Sequence, residues 1–413
     1  MLNCKKTCLA AVALLSLLLF SCTSKTPTGG EKAPAQAAKS AQSETETNAP
    51  LYTLAANHGF KMGAVISADS VTRANYTNMV KADFNSITAS NEFKAYSLAS
   101  QQLSIKSENG MPVMNYTKAD SIAKFAQENG IGIRGHVLVW DAYMPDWFFR
   151  QGFSRENDFV DRKTMCARLQ YYIEEVVTHF EENFPGVVYC WDVVNEAVAD
   201  GTNECKADDL RHVRTSRGGT SNLFYDVIGP DYVELAFKYA RDAANKVNPN
   251  IKLFYNDYNT FYNAKRAAIT KLIESINKDE KLCDGLGMQG YIGGYGQQAG
   301  CMNQNDIKLV REAINHYASL GLEVQLTELA LRNYDKDKMS EHEAFYKDFF
   351  TMLAGINSAD NIKLTGVSIW GLTDDPSALP SSYGYKMNGP FCGVYNAMLK
   401  KKGEYYSIIE ALR

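Results

Sequence analysis

Two glutamates, Glu196 and Glu328, each end an apolar run and could form a catalytic carboxyl pair. The runs are Tyr189–Glu196 (YCWDVVNE) and Val324–Glu328 (VQLTE). Desolvation beside apolar segments shifts the pKa of a carboxyl group, so one member of a pair can be protonated while the other is ionised. Such a pair can supply the acid and the nucleophile or base that cleave a glycosidic bond. The alternative is that each glutamate belongs to a buried ion pair, because a buried charge is costly unless it is paired.

Polar and aromatic residues interrupt or follow the other apolar runs at similar points. They are Asn91 and Glu92, the segment His136 to Trp140, Asn195, Asp257, Gln289 and Trp370. Core packing alone does not explain so many polar groups at the ends of apolar runs. The pattern therefore predicts one shared site, to which several separate segments contribute.

Eight short runs rich in Val, Ile, Leu and Tyr are the candidate strands. They are Met62–Ser67, Phe84–Ala89, Ile131–Trp140, Val187–Glu196, Lys252–Tyr258, Leu286–Ile292, Leu322–Leu329 and Leu364–Leu372. Their apolar stretches do not alternate strictly, which is typical of strands buried on both faces.

Amphipathic stretches with helical spacing separate these runs. The predicted helices are Ala119–Asn129, Arg162–Phe184, Tyr232–Val247, Ala264–Asn277, Asn305–Leu320 and Glu341–Gly355. The alternation predicts an α/β fold, a single-domain (β/α)₈ TIM barrel, and about 360 residues suit such a barrel with insertions. No internal sequence repeat is evident, which argues against solenoids and propellers. Active groups of such barrels lie at the carboxyl ends of the strands, where the polar residues above fall.

The first 50 residues lie outside the predicted barrel. Residues 1–21 have the Lys5-Lys6 pair and the short apolar run, Cys8–Phe20, of a secretory signal peptide. Ser21-Cys22 resembles a bacterial lipoprotein processing site, which implies cleavage before Cys22 and its lipidation. The alternatives are an ordinary cleaved signal peptide and an uncleaved one. Residues 22–50 contain no aromatic residue, so we expect them to be the lipidated cysteine and a flexible linker. We expect residues 51–413 to form the catalytic barrel domain. We expect a protein that is lipid-anchored to the outer membrane of a Gram-negative cell envelope. The sequence does not decide between the periplasmic face and the cell surface.

Composition excludes some partners. The formal net charge is −4 and no basic stripe is visible, so nucleic acid is not an expected partner. The six histidines are scattered and none of the nine cysteines forms a CxxC pair, so neither a metal site nor a cofactor is expected. Cys190 lies in an apolar run and is predicted to be a small buried thiol. The membrane is contacted only through the lipid, and a monomer is expected.

Several of these segments resemble a known family. WDVVNEA at 191–197, RGHVLVW at 134–140, SNEFK at 90–94 and TEL at 327–329 resemble four strand ends of glycoside hydrolase family 10, the xylanase family. Asn256-Asp257-Tyr258, Gly287-Met288-Gln289 and Trp370-Gly371 match it in the same order. The resemblance covers essentially the whole chain from residue 55 onward, and its combination of motifs is specific.

The resemblance implies a retaining mechanism and a role for each matched residue. Glu328 would attack the anomeric carbon, and Glu196 would act as acid and then as base, with the carboxyls about 5 Å apart. Asn195 would contact the sugar 2-hydroxyl, and Trp370 would form an apolar wall. The other expected substrate-binding residues are Asn91, Lys94, His136, Trp140, Tyr258, Gln289 and Tyr291.

The sequence also departs from the family pattern near the expected site. Ser90 replaces a Glu, Asp141-Ala142-Tyr143 replaces His-Ser-Gln, and Ser377-Ala378-Leu379 replaces Ser-Trp-Arg. Tyr291 replaces a His that binds the nucleophile, and Ala330 replaces the Asp that supports this His. Because a Tyr hydroxyl can donate to a carboxylate, we predict that Tyr291 takes over that hydrogen bond.

Three functions agree with these observations. The first is a retaining, endo-acting β-1,4-xylanase that hydrolyses xylan. The second keeps the fold and chemistry but cuts a β-linked hexose polymer or a decorated xylan, since Ala378 in place of Trp opens volume for a larger sugar. The third is a catalytically inactive glycan-binding lipoprotein, which the changed positions favour and the two retained glutamates oppose.

Overall fold

Eight parallel strands close into a barrel, as the sequence pattern predicts. The computed structural model describes residues 49–293, 301–375 and 389–413, all within the unit Asn48–Arg413. The strands are β1 Lys61–Ile66, β2 Ser86–Ala89, β3 Gly132–Val139, β4 Val188–Asn195, β5 Lys252–Asp257, β6 Gly285–Met288, β7 Glu323–Leu331 and β8 Leu364–Ile369. Each pairs in parallel with the next, and β8 pairs with β1, so the sheet has no free edge.

Eight helices follow the strands and surround the barrel. They are α1 Ala74–Asp83, α2 Thr117–Asn129, α3 Arg162–Asn183, α4 Tyr232–Val247, α5 Asn263–Ile276, α6 Gln304–Ser319, α7 Met339–Ala354 and α8 Gly403–Leu412. The six helices predicted from the sequence are α2 to α7, and each boundary agrees within two residues. Gly130 ends α2 in the left-handed conformation, with φ of 65°, as a glycine at that position predicts.

Shorter elements fill the loops. The additional α-helices are Leu51–Ala56, Ala68–Val71, Ala95–Leu98, Gln101–Ser104 and Leu223–Val227. The 3₁₀ turns are Asp146–Phe149, Gln151–Phe153, Thr202–Glu204 and Lys336–Lys338. Ser216–Arg217 and Thr220–Ser221 form an antiparallel pair, here called the hairpin, after β4, and Tyr291–Ile292 pairs with the end of β7.

The sixth strand differs from its predicted range, Leu286–Ile292. The strand β6 ends at Met288, and Gly290 adopts a positive φ of 80° before Tyr291 and Ile292 resume pairing. Glycine adopts this conformation without a steric penalty, so it allows the chain to turn between the two pieces. The break places Gln289 and Tyr291 in the loop region where the site lies.

Two strands have a register shift near their carboxyl ends. Register shifts occur between His136 and Val139 in β3, and between Leu326 and Leu329 in β7. Such bulges redirect side chains locally and are over-represented beside active sites. They lie at the C-terminal rim, meaning the carboxyl ends of β1 to β8 and the loops that follow.

Two further observations on the described residues concern membrane-spanning helices and Cys190. No helix among them is long and apolar enough to cross a bilayer. Cys190 is fully buried in β4, which confirms the sequence prediction, and burial raises the pKa of its thiol to about 12. This cysteine is therefore a packing residue and not a reactive thiol.

Candidate active site

Glu196 lies immediately after β4 and is 7% exposed. Its backbone has a φ of 56°, a left-handed conformation that non-glycine residues adopt mainly where the surrounding structure enforces it. The Glu196 amide donates to the Asn256 carbonyl at 2.9 Å, which fixes this turn. Gln289 donates to Oε1 at 2.8 Å and Arg217 to Oε2 at 2.9 Å, so both carboxyl oxygens are bound.

Burial raises the pKa of Glu196 above its ordinary value. The negative charges of Asp257 and Glu328 add to that rise, whereas the Arg217 guanidinium and the Gln289 amide oppose it. A raised pKa is what a general acid requires, because the group must hold a proton at the working pH.

Glu328 lies within β7 and is 8% exposed. The Tyr291 hydroxyl donates to its Oε2 at 2.6 Å, so the hydrogen bond predicted for Tyr291 is present. Burial, and then the charge of Glu328, raise the pKa of Tyr291 well above its ordinary value. The phenol therefore keeps its proton and remains a donor to the carboxylate. Tyr291 also pairs in register with Ala330, so the two coupled departures from the family pattern are neighbours in the sheet.

Three amide side chains connect the two carboxyl groups. The Gln289 amide that binds Glu196 also lies 3.3 Å from Asn195 Oδ1. Asn256 donates to the same Asn195 oxygen at 2.9 Å and to Glu328 Oε1 at 3.4 Å. Thr327 donates to Asn256 Oδ1 at 2.7 Å, which fixes the orientation of that amide. The predicted carboxyl separation of about 5 Å stays a prediction.

One donor of this network has no partner among the residues that the structure describes. Asn195 is 1% exposed, and its Nδ2 is a buried donor without a hydrogen bond in the described residues. A buried donor without a partner is costly, and such costs are tolerated at functional sites where a ligand supplies the acceptor. The free donor agrees with the contact to a sugar hydroxyl that the family resemblance implies for Asn195, and that contact stays a prediction.

His136 lies in β3 and is 4% exposed. Its Nδ1 is 2.8 Å from Asp192 Oδ2, and Arg134 donates to the same oxygen and, through Nε, to Gln325 at 3.0 Å. Burial alone would raise the pKa of Asp192, but Arg134 and His136 outweigh it and hold that pKa below its ordinary value. An ionised Asp192 therefore fixes the orientation of the His136 ring.

Lys94, which follows β2, and Trp140, which follows β3, form a second part of the site. Lys94 donates to Asn91 Oδ1 at 3.1 Å, and its Nζ lies 5.2 Å from the Trp140 ring and 4.8 Å from the Tyr143 ring. Tyr143 packs on Trp140 with ring centroids 4.4 Å apart, and Tyr96 lies 5.4 Å from Tyr143. Burial lowers the pKa of Lys94, and Glu328 and Glu196 oppose this, so the ammonium is electrostatically coupled to both carboxyls. Aromatic faces beside polar donors suit sugar rings, which have apolar faces and hydroxyl edges.

Two further predicted residues lie on other parts of the rim. The Tyr258 hydroxyl accepts from Arg214 at 3.2 Å, and Arg214 also contacts the Glu196 carbonyl. The Trp370 amide donates to the Leu329 carbonyl at 2.9 Å, which places Trp370 beside the strand that carries Glu328. Its role as an apolar wall stays a prediction. Ser377-Ala378-Leu379, which carries the volume argument, lies outside the described residues.

Arg217 and its partner Asp141 are site residues that the sequence analysis missed. Arg217 lies on the hairpin and Asp141 directly follows Trp140, where it had been noted only as a departure. The Gly218-Gly219 pair between short polar segments was an available hairpin signal. Nothing in the sequence indicated that this hairpin contacts Glu196.

The parallel barrel and the buried carboxyl pair on its C-terminal rim define a (β/α)₈ glycoside hydrolase. Residues 50–411 match the model of glycosyl hydrolase family 10, and the chain belongs to that family. This confirms the resemblance inferred from the strand-end motifs.

Relatives of known name agree with this assignment. Endo-1,4-beta-xylanase B of Butyrivibrio fibrisolvens is 31% identical over 357 residues, which cover 85% of this chain and 52% of that protein. A putative endo-1,4-beta-xylanase of Caldicellulosiruptor saccharolyticus is 36% identical, covering 65% of this chain and 82% of the relative. The chain thus spans about half the length of the Butyrivibrio protein.

A solved structure is also similar to this chain. It contains the CBM22-1-GH10 modules of Clostridium thermocellum endo-1,4-beta-D-xylanase 10B, complexed with xylohexaose. The TM-score is 0.76 at 29% identity, covering 89% of this chain and 68% of that chain.

Proposed function

We propose that the protein is a retaining endo-1,4-β-xylanase that hydrolyses xylan. The observation that carries this proposal is the pair Glu196 and Glu328, buried, hydrogen-bonded and joined through Asn195 on one rim. The names of its relatives support xylan as the polymer.

In the first step, Glu328 attacks the anomeric carbon while Glu196 gives its proton to the leaving oxygen. The Tyr291 hydroxyl and the Asn256 amide hold the Glu328 carboxylate in position for attack. The raised pKa of Glu196, caused chiefly by burial, keeps it protonated for this donation. In the second step the ionised Glu196 removes a proton from water, which releases the sugar from Glu328.

Residues in and directly after β2 and β3 would hold the sugar on one side of the cut. Lys94, Asn91 and His136 supply polar contacts, and Trp140 supplies an aromatic face. The complete set of partners around both carboxyls argues against an inactive binding protein. The xylanase relatives do not favour a hexose polymer or a decorated xylan, and a product profile separates both from plain xylan.

We also propose that the enzyme is a monomer lipid-anchored through Cys22 in a Gram-negative cell envelope. The support is the signal-like segment 1–21, Ser21-Cys22 and the polar segment that follows. Several acyl chains on one residue give stable membrane attachment, whereas a single chain binds only marginally.

A product profile tests the catalytic proposal. The purified protein is incubated with plain xylan, decorated xylan, β-1,4-glucan and mixed-linkage glucan, and oligosaccharides are followed over time. We expect rapid release of xylo-oligosaccharides of several lengths from plain xylan, with the β-anomer formed first by NMR. Activity on glucans alone would move the assignment to a hexose polymer, and an α-anomer formed first would contradict the retaining mechanism.

Two variants separate catalysis from binding. Glu328→Gln should abolish turnover while the protein still binds xylan, and Glu196→Gln should lower kcat on xylan by about 10²–10⁴-fold. Glu410→Gln is the matched control, because that carboxylate lies on α8 in an exposed pair with Lys347. Equal, slow sugar release by the wild type and Glu328→Gln would show that the protein is not a hydrolase.

A further inference from the structure

The hairpin places one guanidinium between the acid/base and a second carboxylate. Arg217 Nη1 donates to Glu196 Oε2 at 2.9 Å, and Nη2 donates to the Glu196 carbonyl at 3.2 Å. On its other side, Nη2 donates to Asp141 Oδ1 at 2.9 Å and Nε lies 3.3 Å from Oδ2. Two carboxylates from different strand ends thus share one planar fork, a geometry that arginine provides and lysine does not.

This arrangement is largely shielded from water. The side chains of Asp141 and Glu196 are 5% and 10% exposed, and that of Arg217 is 26% exposed. Ion pairs with so little solvent contact are screened less than surface pairs. The pairing therefore acts on Glu196 far more strongly than an exposed salt bridge would.

The hairpin is itself fixed to the rim. Its Gly218 amide donates to Glu204 Oε1 at 2.8 Å, and Glu204 also binds Arg214, the buried arginine that contacts the Glu196 carbonyl. Asn222, at the end of the hairpin, donates to the Arg214 carbonyl at 2.9 Å. The guanidinium of Arg217 is thus presented by a braced segment and not by a free loop end.

We propose that Arg217, held by Asp141, is a positioning residue for Glu196: it fixes the orientation of the acid/base carboxyl and favours its ionised form. This inference rests on the proposed glycosidase mechanism, in which Glu196 must release its proton in the first step and be ionised in the second. Without an opposing positive charge, burial would hold the proton on this carboxyl too strongly for its transfer to the leaving oxygen. Arg217 supplies the opposing charge from outside the barrel strands.

Several charged or titratable groups act on Glu196 together. Those that contact it or are coupled to it by charge are Arg217 and its partner Asp141, Arg214, Asp257, Glu328, Lys94 and Tyr291. Burial is the largest influence and raises the pKa of Glu196, and Arg217 is the strongest opposing group. Removing its charge should therefore raise that pKa further, and removing the negative charge of Asp141 should lower it.

Substitutions of Arg217 and Asp141 should change the pH dependence of kcat/KM in defined directions. Because the first step needs protonated Glu196, kcat/KM falls as the pH rises through the pKa of Glu196. In Arg217→Met this alkaline limb should move to higher pH by about one unit or more, the usual effect of one close opposite charge. In Asp141→Asn it should move to lower pH or stay, because Arg217 then acts on Glu196 alone. Arg217→Lys keeps the charge and should keep the limb close to that of the wild type.

The experiment measures pH profiles of kcat/KM on a xylo-oligosaccharide for the full-length chain and these three variants. Arg162→Met is the matched control, because Arg162 makes a similar forked pair with Asp231 away from the site and should leave the profile unchanged. The proposal stands if the Arg217→Met limb moves to higher pH and the Asp141→Asn limb does not. It is overturned if the Arg217→Met limb does not move upward, or if both limbs move upward together.

A direct titration keeps the test independent of activity. The carboxyl ¹³C signal of Glu196, assigned by its loss in Glu196→Gln, is followed with pH in the wild type and in Arg217→Met. If Arg217→Met does not fold, Arg217→Gln is titrated instead. A wild-type protein that cleaves no substrate would overturn the proposed function. An active wild-type protein whose Glu196 titrates at the same pH as in Arg217→Met would overturn only this inference.

Discussion

The two carboxyls proposed to be catalytic, Glu196 and Glu328, are held by donors of different kinds. Glu328 accepts from the Tyr291 hydroxyl, a neutral donor whose pKa burial raises well above its ordinary value. Glu196 accepts from the Arg217 guanidinium, which carries a full charge. A neutral donor orients the nucleophile without binding its charge tightly, whereas a cation stabilises the ionised form of the acid/base. The difference matches the roles, because only Glu196 must alternate between two protonation states.

Tyr291→Phe tests the donor on the nucleophile. The change removes the hydroxyl that lies 2.6 Å from Glu328 Oε2 and keeps the ring. A hydrogen bond to a charged group contributes about 1.5–3 kcal/mol, so kcat/KM on xylo-oligosaccharides should fall roughly 10- to 150-fold. Steady-state kinetics across the pH range measures the loss.

Tyr406→Phe provides the comparison for that variant. Tyr406 is 51% exposed on α8, far in the chain from both carboxyls, and its variant should keep wild-type kinetics. Wild-type kcat/KM in Tyr291→Phe would show that Glu328 is positioned without this hydroxyl. An equal loss in both variants would point to a general effect on the protein.

At the scale of the elements, close packing between β3 and β4 sets where the site residues lie. Gly135 is the register partner of Trp191, and a Cβ on Gly135 would come within 2.4 Å of the Trp191 ring. That ring packs on Phe180 of α3 with centroids 5.7 Å apart. The absence of a side chain at Gly135 thus lets the helix layer approach the strands that carry His136 and Glu196.

Gly135→Ala should therefore destabilise the protein. The methyl group must displace a fully buried indole, and overpacking of this kind costs about 1–3 kcal/mol of unfolding free energy. Denaturant or thermal unfolding measures it. Gly201→Ala is the control, since a Cβ there meets nothing within 4 Å, and it should unfold like the wild type. Equal stability of all three proteins would mean that the Trp191 ring has room to move.

For the whole molecule, the sequence predicts what depends on local pattern. Apolar runs alternating with amphipathic stretches predict the barrel, and polar residues at the ends of those runs predict the rim site. The hydrogen bond from Tyr291 to Glu328 was also predictable. Tyr291 and Ala330 replace the His and the Asp of the family pattern, so Glu328 needed a substitute donor.

What the sequence does not predict depends on contacts between distant segments. Arg217 is 76 residues from Asp141, and their pairing requires the folded order of β3, β4 and the hairpin. The break in the sixth strand depends on the positive φ of Gly290, and the apolar run across it reads as continuous. Asn256 connects Asn195 to Glu328 only because the barrel brings three strands together.

The proposed attachment of the enzyme to the membrane is testable at Cys22. Expressed in a Gram-negative host, the wild-type protein should sediment with membranes and resist salt washing, because several acyl chains bury enough CH₂ groups, at about 0.8 kcal/mol each, for stable binding. Cys22→Ala should lack the lipid and the mass that the lipid adds. It should leave the membrane fraction and still hydrolyse xylan. Cys205→Ala, which alters a cysteine of the described barrel domain, should stay in the membrane fraction. A Cys22→Ala protein that still sediments and resists salt would show that another segment holds the enzyme at the membrane.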